Sequence, residues 1–125
     1  MKKLMTVLLM MLMVVSIGMA KDSSNTNAKK LIKYLNDDNV GVRSSAAQLL
    51  GEEKEKDAVM PLIQMLERER NFRVRIVAAV ALHQIGDAKA LPVLKRLAKN
   101  DPNKTVRRVA AGLTADLEKI KFAEK

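Results

Sequence analysis

Asp101-Pro102-Asn103-Lys104-Thr105-Val106-Arg107-Arg108-Val109-Ala110-Ala111 is the stretch on which the fold turns, because the chain contains it three times. Thirty-two residues upstream stands Glu69-Arg70-Asn71-Phe72-Arg73-Val74-Arg75-Ile76-Val77-Ala78-Ala79. The same step back again reaches Asp37-Asp38-Asn39-Val40-Gly41-Val42-Arg43-Ser44-Ser45-Ala46-Ala47. An acid, an Asn, a Val-Arg pair and an Ala-Ala pair keep register throughout. The connecting parts align as well: Leu50, Ala58, Val59, Leu62 and Met65 fall on Leu82, Ala90, Leu91, Leu94 and Leu97. Self-similarity at one fixed period marks a repeat architecture, in which each unit is too small to bury its own apolar face and must stack on its neighbours.

Working outward, the apolar residues at 74, 77, 78, 81, 82 and 85 recur at three- and four-residue steps. Those at 106, 109, 110, 113, 117 and 120 do the same. This is the spacing of a helix face and not the alternation of a strand. Val59, Leu62, Ile63 and Leu66, then Leu91, Leu94 and Leu97, mark a second helix per unit, and Leu31, Ile32 and Leu35 mark a shorter one over about 28–35. Gly86-Asp87 and the charged run from Glu52 to Asp57 punctuate the helices. Asn39, Asn71 and Asn103 stand where a side-chain oxygen can accept from an orphan N–H at a helix start. Pro102 discourages continuation of the preceding helix. The expected architecture is all-α: a short right-handed α-solenoid of about five helices, roughly two and a half repeats of 32 residues.

The motif at 101–111 resembles the D-P-x-x-x-V-R-x-x-A-A pattern of HEAT repeats of the short, phycobilin-lyase-like type. Ala79-Val80-Ala81-Leu82-His83-Gln84-Ile85-Gly86-Asp87-Ala88-Lys89-Ala90-Leu91-Pro92-Val93-Leu94 is similar to the portion that follows it there. The resemblance spans roughly 28–120. It departs in the first unit, where Glu53-Lys54 stands for Ile85-Gly86. Ankyrin repeats would show a T-P-L-H motif, which is missing, and tetratricopeptide repeats would need recurring aromatics. Beyond the apolar N-terminal stretch the aromatics are Tyr34, Phe72 and Phe122 alone. The resemblance implies a scaffold in most cases, and an enzyme in a few.

The chain begins with Lys2 and Lys3, carries no charge from Leu4 to Ala20, and closes that run with Gly18-Met19-Ala20. Charge, apolar core and small-x-small is the pattern of a cleavable secretory signal. The expected organisation is a signal peptide at 1–20 cut between Ala20 and Lys21, a linker at 21–27, and the repeat domain at 28–125. The expected location is periplasmic or secreted. With no cysteine, neither a disulfide nor lipid attachment near the signal is available, and helix packing must hold the fold.

No catalytic, cofactor or metal constellation is read from the sequence. His83 is the sole histidine. Glu52, Glu53, Glu55 and Asp57 alternate with Lys54 and Lys56 and read as a solvated turn, and no phosphate loop, nucleophile elbow or His-Glu metal motif occurs. Arg43, Arg75 and Arg107 recur in step with Asp37, Glu69 and Asp101. They form either a binding ladder or stacking contacts in which each Arg meets an acid or a helix-end carbonyl across adjacent units. The net charge of +9 concentrates near the C-terminal third, where Lys95, Arg96, Lys99, Lys104 and Arg108 form a candidate surface for an anion or an acidic partner. Val109, Leu113, Leu117 and Ile120 form a candidate apolar edge, since no further helix follows to cover them. The functional expectation is a non-catalytic protein-interaction scaffold outside the cytoplasm, with no cofactor, no small-molecule substrate and an unidentified protein partner. The alternative is an anion-binding module on acidic envelope polymers, lipid headgroups or nucleic acid, the last being disfavoured by export and by the lack of aromatics.

Overall fold

In the computed structural model the described residues are 25–123. The expected signal peptide at 1–20, its cleavage point and the linker residues 21–24 lie outside them. The chain divides after Lys30, and the packing below is that of the described residues from Leu31 onward. Six helical stretches and no strand occur among the described residues. The helices are α1 (25–34), α2 (Val40–Glu52), α3 (Val59–Arg68), α4 (Phe72–Ile85), α5 (Leu91–Asn100) and α6 (Lys104–Ala123), with single 3-10 turns at Lys56–Ala58 and Ala88–Ala90. The helix expected from about residue 28 begins at 25, so residues 25–27 are its first turn rather than linker.

The repeat seen in the sequence is the repeat of the core. The largest fully buried side chains are Leu50, Leu62, Leu82, Leu94 and Val106. Leu50 and Leu82 are one period apart, as are Leu62 and Leu94. Each helix start is built alike. The oxygen Oδ1 of Asn39 accepts from Gly41 N at 2.8 Å and Val42 N at 3.2 Å. Asn71 accepts from Arg73 N at 3.0 Å, and Asn103 from Thr105 N at 2.8 Å and Val106 N at 3.2 Å. The orphan donors of three helix starts are thus satisfied by one residue type at one register.

Packing fixes how the helices pair. α3 lies against α4 and α5 against α6, while α2, α4 and α6 form a layer in which α4 touches both neighbours. The hairpins are therefore formed by the helix before each Asn cap and the helix after it. This resolves an expectation about the last helix. α6 is not a lone half-unit, because α5 is its hairpin mate. Leu117 is 4% exposed and belongs to the core, with Leu113 half-buried against it. Val109 is half-buried as well, and Ile120 is exposed. The open apolar edge expected at Val109, Leu113, Leu117 and Ile120 is corrected accordingly: α5 covers its centre and leaves only the C-terminal end uncovered.

The turn that departs from the repeat also follows it in space. Gly86 caps α4 in the left-handed region at φ 76°, its N–H donating to Leu82 O. Lys54, its counterpart one period earlier, takes the same region at φ 52°. The backbone requirement is thus met there at a steric cost that glycine avoids.

Candidate functional site

Two features of the α2–α4–α6 layer organise polar chemistry. The first is a ladder of ion pairs at its N-terminal rim. Nε and Nη2 of Arg43 donate to the two carboxylate oxygens of Glu69 at 2.9 and 3.1 Å. Arg75 donates in the same way to Asp101 at 2.9 and 2.9 Å. The third nitrogen of each fork turns back on its own unit: Nη1 of Arg43 donates to the carbonyls of Asp37 and Asp38, and Nη1 of Arg75 to those of Glu69 and Arg70. One guanidinium therefore caps a helix end within its unit and grips the acid of the next. The acid is fixed in turn by the backbone N–H of the capping Asn, at 3.2 Å for Glu69 and 2.9 Å for Asp101.

These bonds set the charge states. The hydrogen bond from Arg43 holds the Glu69 carboxyl below its ordinary range, against the opposing effect of burial, with the Asn71 N–H assisting. The same bond raises Arg43. At Asp101 burial pushes upward most strongly. The bonds from Arg75 and from the Asn103 N–H together outweigh it, and the carboxyl is held below its ordinary value. Arg75 and Asp101 are the buried charged residues among those described, at 9% and 6% exposed. Their pairing is what makes that burial tolerable.

The second feature is the open face of the same layer. Ile76, Val77 and Val80 of α4 floor a groove of about 250 Å³ against α2, rimmed by Gln48, Glu52 and Gln84. Gln48 Nε2 donates to Glu52 Oε1 at 2.9 Å, which links these two rim side chains. Beside it His83 Nε2 and Asp116 Oδ2 meet at 2.5 Å, joining α4 to α6. His83, read from the sequence as a lone surface residue, thus has a carboxylate partner 33 positions away. Periodicity cannot reveal that pair, because the residues one period before His83 and Asp116 are Gly51 and Gln84.

The basic residues singled out in the sequence divide. Lys95 pairs with Glu118 at 2.8 Å and Arg96 with Glu67 at 3.2 Å, so these two bind neighbouring helices of the protein itself. Lys99 lines the same groove as Lys95 and Arg96, and Lys104 and Arg108 are not among its lining residues. Glu52 belongs to the groove, while Glu53 and Glu55 remain in the turn. Among the described residues no helix is long and apolar enough to cross a membrane.

Comparison with known proteins adds a family and three named relatives. Residues 28–113 match the family model described as HEAT repeats. Three curated relatives, each named deoxyhypusine hydroxylase, come from fungi. The protein of Candida albicans is 36% identical over 97 residues, covering 74% of this chain and 30% of its own length. That of Saccharomyces cerevisiae is 37% identical over 86 residues (64% and 26%), and that of Schizosaccharomyces pombe 30% over 91 residues (72% and 29%). The chain thus spans less than a third of the length of the relatives it matches. These relatives overturn the functional expectations from the sequence. They are enzymes acting on a substrate, so the reading as a non-catalytic scaffold with no small-molecule substrate does not stand, and neither does its anion-binding alternative. The periplasmic or secreted location falls with the scaffold reading, since the similarity is to hydroxylases and the apolar segment that suggested export lies outside the matched residues. The reason for the error is physical: a solenoid of one repeat serves many activities, and its stacking positions say nothing about which.

Proposed function

The chain belongs to the HEAT-repeat family, and from that footing we propose that it serves a deoxyhypusine-hydroxylase-like activity by holding the amine-bearing side chain on the open face of α2, α4 and α6. The similarity over 97 residues to a protein of that name carries the reading. The repeats are of the short, phycobilin-lyase-like kind, on the motif at 101–111.

The groove supports this assignment chemically. Deoxyhypusine is a lysine whose side-chain nitrogen bears an aminobutyl extension, so it is a long aliphatic chain with cationic nitrogens. Such a chain buries methylenes and keeps its charged groups against carboxylates or water. The floor of Ile76, Val77 and Val80 suits the methylenes, and Glu52 suits an ammonium group. The Gln48 amide holds that carboxylate in place, and Asp116, held by His83, is a second anion on the same face.

Hydroxylation by oxygen draws on a cofactor such as haem, flavin, copper or non-haem iron. A non-haem iron site of the common kind takes two histidines and a carboxylate. This chain has one histidine and no cysteine, and among the described residues no group of three or more His, Cys, Asp or Glu side chains is placed to hold a metal ion. The residues present do not fit such a centre. What they can supply is binding and orientation of the substrate side chain.

Titration of the full chain with free deoxyhypusine, followed by amide chemical shifts, tests the reading. Shifts confined to the open face of α2, α4 and α6, weakened in Glu52→Gln and weaker for lysine than for deoxyhypusine, are the expected result. No shift at all, or shifts unchanged by Glu52→Gln, would overturn it.

A further inference from the structure

The groove on the open face has two unlike ends. It follows α4 through Ile76, Val80 and Gln84, with Gln48 and Glu52 on the α2 side. Its first end lies toward the helix starts, at the level of Ser44, Ile76 and Arg108. Its second end lies in the last turns of α2 and α4, at the level of Glu52, Gln84 and Asp116. Helix-end carbonyls add there to the charge of the two acids, so a cation is favoured at the second end and disfavoured at the first, beside Arg108.

Gln84 closes the second end. Gly51 has no side chain, and Gln84 Oε1 reaches across from α4 into the space that a Cβ there would fill. The amide therefore crosses from one wall of the groove to the other beside Glu52. One level earlier, Gln48 bonds along its own helix to Glu52 and does not cross.

The length left open fits one kind of chain. From Ile76 to Gln84 the helix advances about 12 Å, at about 1.5 Å per residue. An extended chain advances about 1.2 Å per bond. The deoxyhypusine side chain, about ten bonds from Cα to its terminal nitrogen, spans about 12 Å, and that of lysine about half as much.

Resting on the function proposed above, we propose that Gln84 is the length-determining residue of this groove. The substrate lies with its polypeptide end toward Ser44 and Ile76 and its terminal ammonium at Glu52, where the Gln84 amide stops it. A shorter chain leaves its ammonium over the apolar floor, short of the carboxylate. A longer one has to lift the amide off Gly51.

A chain-length series tests this. The probes are deoxyhypusine capped as N-acetyl methylamide, and homologues whose outer arm is aminopropyl or aminohexyl instead of aminobutyl. Binding to the full chain is followed by amide chemical shifts, with circular dichroism confirming helicity. The wild-type chain binds the aminopropyl compound about fourfold more weakly than the aminobutyl, the worth of one buried methylene. The aminohexyl compound binds no tighter than the aminobutyl. Gln84→Ala, at an exposed helix position, lifts the limit and binds the aminohexyl compound about tenfold tighter than the wild type does, since two further methylenes find room over Gly51. Gln84→Met, which keeps the bulk and loses the amide, keeps the limit. A nitroxide on the acetyl group broadens the amides of Ser44 and Ile76 and spares those of Glu52 and Gln84. The proposal is overturned by an aminohexyl compound that outbinds the aminobutyl in the wild type, by an unchanged length preference in Gln84→Ala, or by the reverse broadening pattern. Each of these leaves substrate holding on this face intact. A wild-type chain that binds none of the three compounds overturns the function proposed above and this inference with it.

Discussion

Gly51 and Gly112 both lie inside helices, and replacing each with alanine should change stability in opposite directions. Helix propensity alone favours alanine at both, by about 0.8–1.0 kcal/mol. At Gly112 nothing stands within 4 Å of an added Cβ, so the propensity term acts unopposed and Gly112→Ala should stabilise by about 0.5–1 kcal/mol. At Gly51 the added Cβ meets Gln84 Oε1, Ala81 Cα at 2.6 Å and Ala81 Cβ at 2.8 Å. The Gln84 amide ends a flexible side chain and can swing away. Ala81 Cα is backbone in the middle of α4 and cannot, so α2 and α4 must part toward an ordinary contact distance. Overpacking of this kind costs about 1–3 kcal/mol. That exceeds the propensity gain over most of its range, leaving Gly51→Ala destabilised by about 1 kcal/mol. In a domain of about 60–100 residues each kcal/mol moves the melting midpoint by about 4–8 °C, so thermal melts followed by circular dichroism separate the two variants by about 10 °C. A Gly51→Ala protein at least as stable as Gly112→Ala would refute the close α2–α4 approach on which the groove geometry depends.

Three further outcomes follow from the turns and the ladder. Lys54→Gly removes a side chain from the left-handed region at φ 52°; after the entropy cost of glycine it should stabilise by about 0.5–1 kcal/mol in urea unfolding. Asp101→Ala leaves the buried Arg75 guanidinium without its anion. The loss should be about 3 kcal/mol, the lower end for breaking a buried pair, because Nη1 keeps the Glu69 and Arg70 carbonyls; a double-mutant cycle with Arg75→Met isolates the coupling. Glu69 and Asp101 are both held below their ordinary values. Their contribution is thus complete above the unfolded carboxyl range, about pH 4, and is lost as pH falls through the lower folded values. The midpoint of chemical unfolding should stay flat from neutrality to about pH 5 and fall below about pH 4, with a smaller fall in Asp101→Ala.

The fold was legible because the repeat makes each structural demand three times. Asn39, Asn71 and Asn103 announce the helix starts, and the Val-Arg and Ala-Ala pairs announce the stacking face. How the helices pair was not legible. A period of 32 residues is the same whether a unit begins at the first helix or the second, and only packing shows that α5 belongs with α6 and so buries Leu117. The turn at Lys54 was hidden for a related reason: the residue changed while the backbone demand did not. Of the groove floor, only Val77 fell on the apolar stripe read from the sequence. Ile76 and Val80 lie off it, and all three are half-buried. The His83–Asp116 pair left no periodic trace at all.

That contrast separates fold from activity in this chain. Positions the architecture needs are nearly constant from unit to unit: the capping Asn, the ladder Arg, and the leucines at 50 and 82. Positions on the open face of α2, α4 and α6 vary freely. Residues 44, 76 and 108 are Ser, Ile and Arg; residues 48, 80 and 112 are Gln, Val and Gly; residues 52, 84 and 116 are Glu, Gln and Asp. A side chain there can change without disturbing a cap, a rung or the core, so stability places little constraint on it, and any constraint that does act comes from what the face binds. A fold shared with relatives at 30–37% identity therefore does not by itself carry an activity, which depends on the face. On that face this chain presents an apolar floor and two oriented carboxylates but one histidine. On the function proposed above, that arrangement would receive an aliphatic cation by burial and charge, and among the described residues it contains no ligand set for a metal centre.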